Sequence, residues 1–568
     1  MASKTVMVWF RKALRVHDNA TLANLHDAAH VIPVFVFDPK LTTREYVGDT
    51  RLRFLLTCLE DLKRQLESLG SSLVLLEADG STPGKDVVST LQAKWADWGV
   101  DELRFESDLE PYARKRDAAV VKAAKSAGVS VSPSPPHLLI DHERYESIPD
   151  SEFPRTYRGF LSLLDKKKWE VDAPLDAPEG DSFPPLPNDV SQAVGEGQFG
   201  VPGMDAFSGR SADAGAAVAF EGGETKGLER MEAFLADVEK TVSFEKPKTD
   251  PFALDPIATT GLSPFIKFGA VSVRLMFHRL REVEAGASGS VSQPPQSLVG
   301  QLFWREFFTV SGSRTANFDQ MEGNQLCRTI PWGDDPGLVS AWAEGKTGFP
   351  LVDAIMRQLQ RTGWIHHLSR HVVACFLTRG YLWQHWEAGK KVFEVALVDS
   401  DHFLNAANWL WLSASAPWFS AYFRVYSPVT FGKKYKQSAR DYVRHWVPEV
   451  ANLPDKHLFA PFDAPSSVLA SAGIELGTDY PFPIVDHAAA KEANLKRMKA
   501  AYAFKAWGGE SLKRTSQVVD DAVGGEVDIS YDSSSHATSS SSSSSSGGKR
   551  KRQKTLDFKP KSKSTKKK

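Results

Sequence analysis

Cysteine is scarce in this chain of 568 residues: Cys58, Cys327 and Cys375 stand far apart and form no CxxC pair. That excludes a disulfide framework and a cysteine-built zinc site, and it points to a reducing compartment. Long apolar runs are missing too. The first, residues 6–10, is broken by Arg11 and Lys12, too short for a secretory signal. No window approaches the roughly 20 apolar residues that span a bilayer. A soluble intracellular protein with no membrane contact is expected. No GxGxxG follows the first apolar stretch, so the usual dinucleotide fingerprint is absent. Nor is there an excess of one charge, since 69 Lys and Arg face 70 Asp and Glu. The balance hides an asymmetry. Residues 549–568 carry eleven basic side chains and one acid. Local patches, rather than the total, therefore decide nucleic-acid binding.

At this length several domains are expected. Residues 1–135 alternate apolar strands (5–10, 30–37, 72–76, 102–106) with helical stretches. In the clearest of these, 52–69, Phe54, Leu55, Cys58, Leu59, Leu62, Leu66 and Leu69 recur at a helical period. A further polar helix is expected between the first two strands. This alternation predicts an α/β domain with an open, mostly parallel sheet. Residues 136–225 are rich in proline and glycine and read as an interdomain connector, partly disordered around 190–225. Residues 226–505 are helical and hold ten tryptophans of the chain's 15. Residues 506–568 lose apolar periodicity, turn to serine and then to basic residues, and read as a disordered tail. Its Lys549-Arg550-Lys551-Arg552 cluster has the composition of a nuclear-import signal.

Chemistry concentrates in Gly363-Trp364-Ile365-His366-His367-Leu368-Ser369-Arg370-His371 and Asp399-Ser400-Asp401-His402-Phe403-Leu404-Asn405, followed by Trp409. His367 and His371 are four apart, hence on one helix face. Leu368 stands where an HExxH zinc site needs glutamate, and too few further ligands accompany Asp399 and Asp401 for a metal. Arg370 and Asp399 are expected partners, because a buried carboxylate is costly alone. Thr259, Thr260 and Ser263, with Leu262 and Pro264, offer hydroxyls and a helix start suited to an anion, or simply to capping.

Trp9-Phe10-Arg11-Lys12-Ala13-Leu14-Arg15 with Asp18-Asn19-Ala20, the Thr259–Pro264 loop, Gln301-Leu302-Phe303-Trp304-Arg305-Glu306-Phe307 and Gly345 to Ala354 occur in order. With the histidine and aspartate segments they resemble the photolyase/cryptochrome family over about residues 5–505, and within it the (6-4) photolyase and animal-type cryptochrome branch. Lys12-Ala13 depart from an acidic residue found in many relatives.

That resemblance implies a helical domain binding FAD through Lys246, Thr259, Thr260, Leu262, Ser263, Gln301, Arg305, His367, Arg370, Asp399, Asp401 and Asn405, with Asn405 facing flavin N5. It implies an electron path through Trp409, Trp386 and Trp332, extended by Trp383; core packing is the alternative for each. Gln301 and Trp304 would line the cavity for a flipped lesion. Arg424 and Tyr426 would occupy the gap in the duplex, while Lys433 and Lys434 would meet phosphates. His367 would be the proton donor that (6-4) repair needs, tuned by His371. Cyclobutane-dimer enzymes carry Asn and Met at those places. The implied activity is blue-light repair of (6-4) photoproducts in UV-damaged double-stranded DNA by a nuclear monomer. The alternative is a blue-light photoreceptor or circadian repressor with clock or transcription partners. An antenna, folate or deazaflavin, is implied without a residue that selects between them.

Overall fold

The computed structural model describes residues 4–78, 86–179, 183–525, 527 and 529–532. Five strands form one parallel sheet: β1 Lys4–Phe10, β2 Ala28–Phe37, β3 Val74–Glu77, β4 Glu102–Glu106 and β5 Ser130–Ser134, in the order β3-β2-β1-β4-β5. The stretch between β1 and β2 is not the expected helix; it holds a single 3-10 turn at Ala20–Leu22, capped by Asn19. β5 escapes the sequence pattern because Ser130–Ser134 is short and holds Pro133, which an edge strand tolerates. Helices α1 Asp49–Ser68, α2 Val87–Asp97 and α3 Pro111–Ser126 cover the sheet. Side chains alternate along β1: Val6, Val8 and Phe10 enter the core that includes α1, while Met7 and Trp9 join Leu91, Trp95 and Val120 on the other face.

In a doubly wound sheet, ligands enter where the strand order reverses. Here Arg11, directly after β1, lays its guanidinium 4.7 Å from the Trp9 ring and 4.8 Å from Phe105. It also donates to Glu106 O and pairs with Asp117. The chain's own cation sits at the strand end where a dinucleotide loop would lie.

The connector is more ordered than its composition implies. It carries α4 Tyr157–Lys167 and a short helix Asn188–Gly195. Residues 210–223, read as partly disordered, pack on α1. Gly222 approaches so closely that a Cβ would stand 2.4 Å from Phe54 O, and Arg210 donates to Val47 O. These glycines serve close packing, which composition alone cannot separate from disorder.

The helical domain is built around α5 Leu298–Ser313, α6 Pro350–Thr362, α7 His367–Cys375, α8 Trp386–Ala396, α9 His402–Leu412 and α10 His487–Phe504. The expected disordered tail begins too early: α11 Leu512–Val523 lies on α10, burying Thr515 and Val519 beside Met498, Ala501 and Trp383. Two buried residues on one face of a polar helix left little periodicity to read. The basic cluster at 549–552 lies outside the described residues.

Glu306 fastens the connector to this domain. Fully buried on α5, it accepts from Leu139 N and Ile140 N at 3.0 Å each and from Tyr145 Oη at 3.1 Å. Removing it strands three buried donors. Glu306→Ala is expected to lower unfolding free energy by about 3 kcal/mol, with Glu306→Gln in between; unchanged urea midpoints would refute this anchoring.

Candidate active site

Three separate segments meet at one carboxylate. Asp399 Oδ2 accepts from Ser263 Oγ at 2.6 Å and from Arg370 Nη2 at 2.8 Å, and Trp364 Nε1 lies 3.4 Å from Ser263 Oγ. Arg370 Nε donates to Ile365 O, fixing the chain that enters α7. Gly363 ends α6 in the left-handed region (φ 71°), where a Cβ would also strike Thr50 of α1. The expected Arg370–Asp399 pair thus exists. Asp399 Oδ1 is buried with no hydrogen-bond partner among the described residues.

His366, His367 and His371 line up from this node. His366 caps α7, its Nδ1 accepting from Leu368 N at 3.1 Å, and its Nε2 lies 2.9 Å from Thr249 Oγ1. The His367 ring is 4.3 Å from His366 and 6.0 Å from His371. His371 Nδ1 lies 3.1 Å from Tyr426 Oη. Burial, then Lys246, hold His366 and His371 down to about 3, and the same causes keep His367 well below the ordinary histidine value. All three are neutral at pH 7. Burial and Arg370 bring Lys246 down to about 8.

The Thr259–Ser263 loop turns through Gly261 (φ 66°), with Thr260 Oγ1 accepting from Leu262 N. Its helix, Ser263–Lys267, starts one residue before Pro264, and the Ser263 hydroxyl serves Asp399 rather than a cap. Asp401 instead caps α9, accepting from Phe403 N and Leu404 N at 3.1 Å. It also neighbours Lys267, which binds Glu110 at 3.0 Å, as does Lys12 at 2.7 Å. Arg305 donates to His137 O and borders the same small cavity of about 40 Å³ at the domain junction. Asn405 Nδ2 donates to Lys390 O, leaving its amide oxygen free of hydrogen bonds among the described residues. Gln301 departs from expectation: its amide folds back on Pro295 O at 2.8 Å, completing the turn before α5.

Trp409 and Trp386 are buried on the packed helices α9 and α8, and Gly389 lets Trp409 lie against α8, since a Cβ would stand 2.2 Å from its ring. Trp332 and Trp383 touch at 4.7 Å between ring centres. Exposure rises from Trp386 (0%) to Trp383 (7%) and the half-buried Trp332.

Trp304 stacks on Tyr157 at 3.8 Å and meets Trp411 at 5.0 Å. Sequence reading gave no role to Tyr157, Trp411, His366, Lys267 or Glu110; Trp411, two residues after Trp409, and His366, next to His367, carried a signal. Arg424, Lys433 and Lys434 are exposed, and Phe423 beside Arg424 is 63% exposed.

Two family models match: "DNA photolyase" over residues 6–179 and "FAD binding domain of DNA photolyase" over residues 298–500. A rice (Oryza sativa subsp. japonica) relative, "(6-4)DNA photolyase", is 41% identical over 515 residues, covering 88% of this chain and 90% of the relative. The chain belongs to the photolyase/cryptochrome family. Chicken (Gallus gallus) Cryptochrome-2 is 40% identical over 495 residues, covering 87% and 83%. Among solved structures, a class III photolyase from Agrobacterium tumefaciens superposes with TM-score 0.71 at 29% identity, covering 89% of this chain and 98% of its own. A Synechocystis cryptochrome gives 0.71 at 25%, covering 87% and 99%.

The photolyase FAD-binding domain is therefore present, and the residues suit that cofactor. Asp399 Oδ1 is a buried acceptor in need of an N–H donor, and Lys246 is a desolvated cation in need of an anion. No group of metal-ligating side chains occurs among the described residues.

The neutral histidines make stability depend on pH. An unfolded histidine protonates near 6.5, and one held down to about 3 when folded does not, so the unfolded state binds more protons between those values. Stability is full above pH 6.5 and falls as pH drops through that window. His371→Asn is expected to lose about 2 kcal/mol less than the parent between pH 6.5 and 5; parallel curves in chemical denaturation would contradict this.

Proposed function

We propose that this chain repairs (6-4) photoproducts in UV-damaged double-stranded DNA under blue light, as an FAD-dependent lyase. The observation that carries this reading is the histidine pair. The His367 ring has no hydrogen-bond partner among the described residues, while its neighbour His371 is held by Tyr426. A hydroxyl or amino group must return from one base to the other, and an unengaged imidazole can deliver the proton. When bound, reduced FAD supplies the electron on excitation.

The chain's residues do the rest. Asp399, Arg370 and Ser263 would orient the cofactor, Lys246 and the Thr259–Ser263 loop would hold its phosphates, and the Asn405 amide oxygen would be free to accept from its ring. Trp304 and Trp411 offer stacking faces to an extruded base. Phe423, with Arg424, is an apolar wedge for the vacated gap, and Lys433 and Lys434 contact phosphates. Negative charge arriving with the DNA raises the depressed imidazoles, so that His367 takes up a proton and His371, fixed by Tyr426, shares it. Trp383, Trp332, Trp386 and Trp409 carry electrons inward from the surface. The 549–552 cluster directs the protein, a monomer, to the nucleus.

A signalling role is the second reading, favoured by the near-equal identity to chicken Cryptochrome-2. It would operate through clock or transcription partners.

Purified, reduced protein should restore a duplex bearing a (6-4) lesion under blue light and leave a cyclobutane dimer intact. His367→Ala should cut the yield by about 100-fold or more, with flavin content unchanged. An untouched (6-4) lesion beside normal flavin photochemistry would transfer the case to signalling.

A further inference from the structure

We infer that His366, which no role above includes, is a positioning residue locked in one neutral tautomer, and that this lock confines the site's mobile proton to His367 and His371. The inference rests on the reading of His367 as donor.

Two bonds impose the lock. Nδ1 accepts the Leu368 N–H that opens α7, so it must be unprotonated. A neutral ring then carries its proton on Nε2, 2.9 Å from Thr249 Oγ1, and the Thr249 hydroxyl donates onward to Lys246 O at 2.8 Å. Every position in this chain of bonds has a defined direction. Protonating Nδ1 would turn an acceptor into a donor facing another donor and open the first turn of α7.

The ring also touches its neighbour. Only 3% exposed, it lies tilted by 35° at 4.3 Å from His367, whose own nitrogens are unengaged among the described residues. The charged groups around the three rings are cationic: Lys246 and Arg370 face all three, and Arg379 adds to His371. A positive charge on His366 would oppose any on His367. Arg370 is itself neutralised by Asp399. A proton entering this cluster meets one ring that cannot accept it and two that can.

The test uses the full-length flavoprotein. Asparagine is a strong helix cap, so His366→Asn keeps the α7 start and removes only the ring. Its (6-4) repair against pH should shift toward higher pH by about one unit, because His367 loses the ring that shields it from water. A residue that served only as a cap would leave the profile unmoved. His366→Ala, lacking the cap as well, should also melt earlier. Independently of repair, nitrogen spectra of protein labelled with 15N-histidine should show His366 with Nδ1 unprotonated and Nε2 protonated from pH 5.5 to 8. Superimposed profiles for parent and His366→Asn, or a His366 that gains a proton while His367 stays neutral, would overturn the inference. Absence of all repair by the parent would defeat the proposed function, while the nitrogen spectra would still decide the tautomer.

Discussion

One oxygen of Asp399 holds the site together. By accepting from both Ser263 and Arg370, it joins the helix α7 and the turn before α9, 29 residues apart, to a loop 136 residues before that turn. Arg370 then reaches back to Ile365 O, setting where α7 begins and thereby where the three histidines stand. A buried carboxylate with two strong donors on one oxygen and, among the described residues, none on the other is an incomplete arrangement. Desolvating the unused oxygen costs free energy that a bound N–H donor recovers, which fits the family's FAD-binding domain.

Much of this was legible in the sequence because it rests on local periodicity. The α1 pattern from Phe54 to Leu66 declares itself because the helix buries one face, and β1 and β2 because strands buried on both faces are apolar throughout. The i, i+4 spacing of His367 and His371 and the need of Asp399 for Arg370 follow from elementary rules. What failed depended on distant partners. Gln301 turns toward Pro295, six residues before it, because the turn before α5 needs its donor. The glycines near 215–222 look like disorder until α1 is packed against them. The α11 helix shows too few apolar residues to betray that Val519 meets Trp383. His366 stood in plain view, yet a capping role is visible only when the helix start is known.

Electrostatics and packing place the two halves of the proposed chemistry apart. Around the histidines, burial first and then Lys246, with Arg370 and, at His371, Arg379, keep imidazole neutral, so the proposed proton delivery depends on an arriving anion. Trp409 and Trp386 lie in the core against which Trp332 packs, and Trp332 in turn touches Trp383. Between the domains, Lys12, Glu110, Lys267 and Asp401 form a half-buried charge network beside the cap of α9. This network depends on residues from both domains, so the N-terminal domain takes part in shaping the flavin site.

Since the geometry converges on Asp399 and its arginine, the most direct measurement is the flavin content of Arg370→Leu, read from visible absorption of the purified protein against its far-ultraviolet circular dichroism. The expected result is a folded helical protein that retains less than about a tenth of the parent's flavin, because the buried Asp399 carboxylate loses its charged partner. Full flavin retention in that variant, with the fold intact, would show that the Asp399 node is not what holds the cofactor.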